Sequence, residues 1–224
     1  MEAGFTVFND KNLIQVDSSF VNQVAGSVIN GPYSPYGNFL DVPASIDVTA
    51  EAPALWVRST GWVGGVEIRH GANGTGAYIV FYSDTTVEFC FASTMVVPPD
   101  QGFGLQVFNS QSKQVYNSAF PYPRIIAMPT FSGNVIQQNV AVPNNVAGTW
   151  WCANVMPFSL AVPLGGGSDT SFPPWILCGK LSGTTMQYKM VDSGAIIYAP
   201  EGDPRLNPYY GGTFGVPVAL IPGT

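Results

Sequence analysis

Charge is what this sequence has least of. Charged residues make up only 10% of the 224-residue chain, against about a quarter in an ordinary globular protein. So bare a surface is poorly suited to a free monomer. It predicts that copies of the chain, or neighbours in an assembly, cover much of the exterior. The 8 Lys and Arg are outnumbered by 14 Asp and Glu, for a net charge of -6. That balance excludes the basic patch that nucleic-acid binding requires.

Histidine is nearly absent. His70 is the only one, and there is no Cys-x-x-Cys, so the zinc-site patterns that use several nitrogen or sulfur ligands are excluded. A Ser-His-Asp or Cys-His relay would have to use His70, yet no Gly-x-Ser-x-Gly elbow accompanies it. His70 stands just before the Asn73-Gly74 step, a tight-turn signal, and reads as a solvated turn residue. The three cysteines, Cys90, Cys152 and Cys178, are an odd set without close spacing. They support no disulfide framework, and Cys90 and Cys178 lie in apolar runs as buried, inert thiols would.

Long hydrophobic runs are lacking too. No segment reaches the length of a membrane span, so no membrane insertion is expected. Met1-Glu2-Ala3-Gly4 lacks the regions of a signal peptide, which predicts synthesis in a cytoplasm without export by that route. No window sustains a helical period with caps. The nearest, Asp17 to Val28, is rich in Ser, Val, Asn and Gly, all mediocre helix formers.

What is present is a repeat. Gly4-Phe5-Thr6-Val7-Phe8-Asn9, running on to Phe20, returns as Gly104-Leu105-Gln106-Val107-Phe108-Asn109, running on to Phe120. At an offset of 100, six of seventeen aligned positions are identical without a gap, where random pairing at ordinary residue frequencies gives roughly one. Each copy reads as a β-hairpin. Asn9-Asp10-Lys11-Asn12 and Asn109-Ser110-Gln111-Ser112 supply residues that bond their own backbone in turns.

The rest of the chain, with 25 Gly, 19 Pro and 29 aromatic residues (14 Phe, 10 Tyr, 5 Trp), reads as short strands between turns. Gly31 to Gly37 reads as a loop. Ser45 to Thr49, Leu55 to Arg58 and Val63 to Arg69 are strand candidates. Ala77 to Tyr82 and Thr86 to Phe91 extend the series, and with Val63 to Arg69 predict three successive antiparallel strands. Val96 to Gly102, with Pro98-Pro99, reads as a linker. Beyond it, strands are predicted over Val135 to Val142, Thr149 to Asn154, Trp175 to Leu181, Thr185 to Val191, Ala195 to Ala199 and Phe214 to Ile221. The expected fold is all-β, with two antiparallel β-sandwich-like units, 1–97 and 102–224, each opening with the related hairpin.

Chemistry is sparse. Glu201 and Asp203 share a Gly-Pro loop with two tyrosines, a placement more typical of solvated turn acids than of paired catalytic carboxylates. The loop also lacks the acid spacing of a calcium-binding EF-hand. Gly165 to Gly167 is not followed by the Lys-Ser/Thr of a phosphate cradle. No catalytic residue, metal site or cofactor is expected. Paired aromatics are the candidate interface or recognition residues: Tyr33 and Tyr36, Trp150 and Trp151, Tyr209 and Tyr210. Neighbours on a strand face opposite ways, so one of Trp150 and Trp151 is expected in the core and the other on an outer face.

The repeated Gly-Phe/Leu-x-Val-Phe-Asn segment, followed by a polar turn and an Asp/Asn-Ser end, resembles the N-terminal hairpin of small virion proteins of tailed bacteriophages. Gly104 to Ser118 fits that pattern more closely than the first copy, and the family's turn glycine is absent from both. The resemblance covers about 17 residues in each copy. It implies a non-enzymatic structural protein of the tail tip or fibre-attachment region, made in the host cytoplasm and built into the virion. Its implied partners are other virion proteins and further copies of itself, with a host-surface glycan or protein receptor beyond them. A carbohydrate-binding attachment module and a capsid decoration protein are the alternatives.

Overall fold

The computed structural model describes residues 6–8, 14–17, 24–43, 54–70, 76–93, 105–112, 114–118, 120–132, 137–142, 148–153, 159–161, 171–172, 174–192, 197–198, 213–222 and 224. Every regular element among them is a strand, and every strand pair is antiparallel. The first half holds β1 (Thr6–Phe8), β2 (Ile14–Asp17), β3 (Val24–Gly31), β4 (Ser34–Asp41), β5 (Ala54–Arg58), β6 (Val63–His70), β7 (Ala77–Ser83) and β8 (Val87–Ser93). The second opens with β9 (Gln106–Phe108), β10 (Gln114–Asn117), β11 (Arg124–Ala127), β12 (Thr130–Ser132), β13 (Gln137–Ala141) and β14 (Thr149–Cys152). It ends with β15 (Ser159–Ala161), β16 (Ser171–Phe172), β17 (Pro174–Ser182), β18 (Thr185–Asp192), β19 (Ile197–Tyr198), β20 (Thr213–Gly215) and β21 (Val218–Leu220).

Two large sheets stack as a sandwich. One runs β11-β21-β14-β5-β8-β3; the other runs β13-β18-β17-β6-β7-β4, with β15 also beside β17. Leu55, Phe89, Phe91 and Trp151 from the first meet Ile79, Phe81, Leu177, Met186 and Tyr188 from the second in one buried core. The alternation on β7, where Ala77, Ile79, Phe81 and Ser83 are buried and the residues between them are not, is the strand period at work.

The repeat is real in three dimensions. β1 pairs β2 through Thr6–Asp17, Val7–Val16 and Phe8–Ile14; β9 pairs β10 through Gln106–Asn117, Val107–Tyr116 and Phe108–Gln114. The two registers are identical at an offset of 100, down to the bulge that skips Gln15 in one and Val115 in the other. The equivalence continues through both sheets. Asn38 to Asp41 face Phe81 to Tyr78 just as Gln138 to Ala141 face Tyr188 to Thr185. The next residue repeats as well: the Val42 N–H donates to the Ala77 carbonyl (2.8 Å) and the Val142 N–H to the Thr184 carbonyl (2.7 Å). Each half thus contributes the same six strands in the same order. β3, β8 and β5 correspond to β11, β21 and β14; β4, β7 and β6 correspond to β13, β18 and β17. In the second half, Pro129 and Pro217 divide two of these strands, and β12 pairs β20 beyond the breaks through the Val216 N–H to Pro129 carbonyl bond (2.9 Å).

The halves join edge to edge. β5 pairs β14 through Trp56–Cys152, and β6 pairs β17 through Gly64–Cys178. Both are pairs of equivalent positions. Ala54 and Trp150 sit opposite Ala92 and Ala219, which makes Trp56 the counterpart of Cys152; Tyr82 and Lys189 sit opposite Gly64 and Cys178. An approximate twofold axis therefore passes through both seams. The expected split into separate 1–97 and 102–224 domains is corrected here: each half has an exposed strand edge, and the other half satisfies it, so both sheets run across the boundary.

The six-stranded sheet is curled. Laid flat, its outer strands would be about 24 Å apart, and the three residues from Pro121 to Arg124 reach only about 10 Å. Yet the N–H of Ala25 on β3 donates to the Pro121 carbonyl at 2.7 Å, just before β11 at the opposite edge. All six strands contribute to a second buried cluster on the face away from the sandwich core: Ala25, Trp56, Cys90, Ala92, Trp150, Cys152 and Ala219, with Ile125 against it. Most are small, as side chains converging inside a tight curl must be.

Other expectations change as well. Most of Gly31 to Gly37 is strand, because β4 is an edge strand, where Pro35 withholds an N–H that has no ladder partner to serve. β6 and β7 pair as expected, but β8 joins the other sheet. The Ser83-Asp84-Thr85 turn is an arch between layers, held by the Ser83 hydroxyl to the Thr85 carbonyl (2.7 Å) and the Trp62 N–H to Asp84 Oδ1 (2.7 Å). Phe214 to Ile221 divides into β20 and β21 at Pro217. The Ser45 to Thr49 strand and the Val96 to Gly102 linker lie outside the described residues.

Candidate functional site

The outward face of the seven-stranded sheet carries the clearest candidate, and it belongs to the first half alone. Between the core-facing Leu40, Ile79 and Phe81 stand Phe39 on β4 and Tyr78, Val80 and Tyr82 on β7. Phe39 is 64% exposed and meets Tyr78 edge to face, with ring centroids 5.3 Å apart. Tyr33, in the turn between β3 and β4, is 57% exposed. Its phenol and the Asp84 carboxylate act electrostatically on Tyr82, whose hydroxyl pKa is raised chiefly by burial and then by the nearby Cys178, Asp84 and Tyr33.

Polar groups border the rings. Asp41 is exposed opposite Tyr78 on one side. On the other side Glu67 and Arg69, opposite Val80 and Tyr78, form an ion pair with Arg69 Nε donating to Glu67 Oε2 at 2.7 Å. The corresponding positions of the second half carry Asn139, Ala141, Thr185, Gln187 and Lys189. Lys189 Nζ lies 4.3 Å from the Trp62 ring centroid, so a cation of one half stacks on an aromatic of the other.

Of the residues singled out from sequence, Tyr33 is placed at this face. Tyr36 lies on β4, but its side chain, like Tyr209 and Tyr210 entirely, is outside the described residues. Trp150 and Trp151 do face opposite ways, but neither is outward. Trp151 enters the sandwich core and Trp150 the interior of the curl, at 1% and 0% exposure. The expectation of an exposed ring fails because this sheet is buried on both faces. Trp150 Nε1 donates to Thr224 Oγ1 at 3.0 Å, and the Arg58 guanidinium covers its ring at 4.4 Å. Arg58 in turn holds Glu88 through two hydrogen bonds, which keep the Glu88 carboxyl below its ordinary pKa.

The missed residues are Phe39, Tyr78 and Tyr82. In the sequence Tyr78-Ile79-Val80-Phe81-Tyr82 reads as one apolar run. The signal that separates them is the contrast with Thr185, Gln187 and Lys189, and it needs the register to be seen.

Nucleophilic chemistry finds no foothold in the cysteines. All three are buried and none is in a disulfide; burial pushes the Cys90 thiol up to about 11 and raises Cys178 further. His70 is exposed at the end of β6. Glu201, Asp203 and Gly165 to Gly167 lie outside the described residues, and among those described no three metal-ligating side chains converge. No protein-family model, curated protein or solved structure matches the chain.

Proposed function

We propose that the chain is a non-enzymatic structural protein of a bacteriophage virion, sited at the tail tip or fibre-attachment region and acting through protein contacts. One observation carries the reading. The segment that resembles the virion hairpin forms a hairpin of the same register and bulge at the head of both halves. On the second of these, Phe108 and Leu105, the residue before β9, are each 52% exposed, and Phe108 stands on the side away from the buried Val107. Large apolar side chains left on a charge-poor surface suit a protein that spends its life covered.

The test is the mass of the purified chain in solution together with its place in labelled, imaged particles. The reading predicts self-association or capture by virion components, weakened by Phe108→Ser, and label at the distal tail. A monomer that joins no particle would overturn it. Label on the head would favour the decoration-protein alternative.

A further inference from the structure

We infer that the outward sheet face of the first half, centred on Phe39 and Tyr78, is a carbohydrate-binding surface. The inference deepens the attachment reading and rests on it for its biological setting, since a host-surface glycan is what such a face would take. Three observations carry it. First, the rings are not required by the fold, because the same backbone positions in the second half hold Asn139, Thr185, Gln187 and Lys189 and build the same sheet. An exposed Phe meeting a half-buried Tyr edge to face on one copy only is a choice that packing does not explain.

Second, the patch is small. An aromatic side chain offers about 150–250 Å² of surface. At 57% and 64% exposure, Tyr33 and Phe39 leave about 100–150 Å² each, and the half-buried Tyr78 and Tyr82 leave less. Counting both partners, the area stays under the roughly 1,200 Å² of a stable protein interface, whereas a short oligosaccharide needs only a few hundred.

Third, the polar groups suit sugar hydroxyls better than an apolar partner. Asp41, two residues beyond Phe39 on β4, and Arg69 of the Glu67–Arg69 pair on β6 lie opposite Tyr78 on the strands to either side of it. A protein core laid over them would strip water from charges it cannot satisfy. A sugar places its C–H face on the rings and offers hydroxyls, each both donor and acceptor, to the carboxylates and the guanidinium. Tyr78 and Tyr82 stand four residues apart on one strand, about 13 Å, room for two to three sugar units.

The experiment is a printed array of bacterial O-antigen and capsular oligosaccharides probed with the labelled full chain, followed by titration of the best-bound glycan. Wild type is expected to bind, Phe39→Ala and Tyr78→Ala to weaken binding at least tenfold, and Phe39→Trp to retain it. Asn139→Ala and Gln187→Ala, at the corresponding positions of the second half, are expected to change nothing. An unaltered thermal melt of Phe39→Ala separates lost binding from lost folding. Absence of binding across the array, or binding indifferent to Phe39 and Tyr78, overturns the proposal. So does a concentration-dependent dimer abolished by Phe39→Ala, which would assign the face to a second copy. The array results leave incorporation into the particle untouched, so failure of glycan binding and failure of the assembly reading are read separately.

Discussion

The two halves of this chain share a backbone plan and differ in what they put on it. Position for position, Phe39, Tyr78, Val80 and Tyr82 in the first half answer to Asn139, Thr185, Gln187 and Lys189 in the second. Their inward neighbours stay apolar in both: Ile79 and Phe81 answer to Met186 and Tyr188, all essentially buried. The core positions are bound by packing and the outward ones are not. A duplicated fold thus leaves the outward positions of its two copies free to differ while the core positions stay apolar in both. The same contrast holds inside the curl, where Trp150 answers to Ala54.

The largest effect should come from breaking that interior difference. Trp150→Ala gives the second half the residue that the first already has, but in a site packed around an indole. It removes the ring beneath Arg58 and the hydrogen bond to Thr224. A cost of about 3–5 kcal/mol is expected, read from urea unfolding. A loss below about 1 kcal/mol would mean that the interior of the curl tolerates a void and is not a packed core.

Next comes the seam. A Cβ at Gly64 would sit 2.2 Å from the Leu177 carbonyl oxygen and 2.6 Å from Cys178 Sγ. Backbone cannot step aside as a flexible side chain can, so the strands must part. Gly64→Ala is expected to cost roughly 1–3 kcal/mol, lowering the melting temperature by about 2–4 °C for each kcal/mol. The cost would be relieved if the halves could separate at this edge without unfolding. A lowered melting temperature with a single cooperative transition is the expected result; two separate transitions would show that the halves fold independently after all.

How much of this was legible beforehand depends on where identity survived. The hairpins kept Val7 and Val107, Phe8 and Phe108, Asn9 and Asn109, so the duplication could be read directly. Val42-Pro43 and Val142-Pro143 continue it at the same offset. Past them, insertions such as β15, β16 and β19 shift the alignment, and the seam partners share no identity: Trp56 faces Cys152 and Gly64 faces Cys178. Strand pairing between halves leaves no mark in either half alone. Alternation correctly turned Trp150 and Trp151 to opposite faces, but a period of two cannot say that both faces are covered. A Ser-Asp turn likewise looks the same whether the next strand returns to its neighbour or arches to the other layer.

The smallest expected effect sharpens the comparison most. Phe39→Asn puts on the first half the residue that the second half carries at the same place, and an exposed ring contributes little to the folded state. Stability should change by no more than about 0.5 kcal/mol, whereas Leu40→Asn, one residue on and turned toward the core, should cost several times as much. A large loss at Phe39 would make its contact with Tyr78 a structural brace, and the difference between the faces would then record drift in packing. A negligible loss leaves the rings without a folding role, so whatever keeps them there must lie outside the chain.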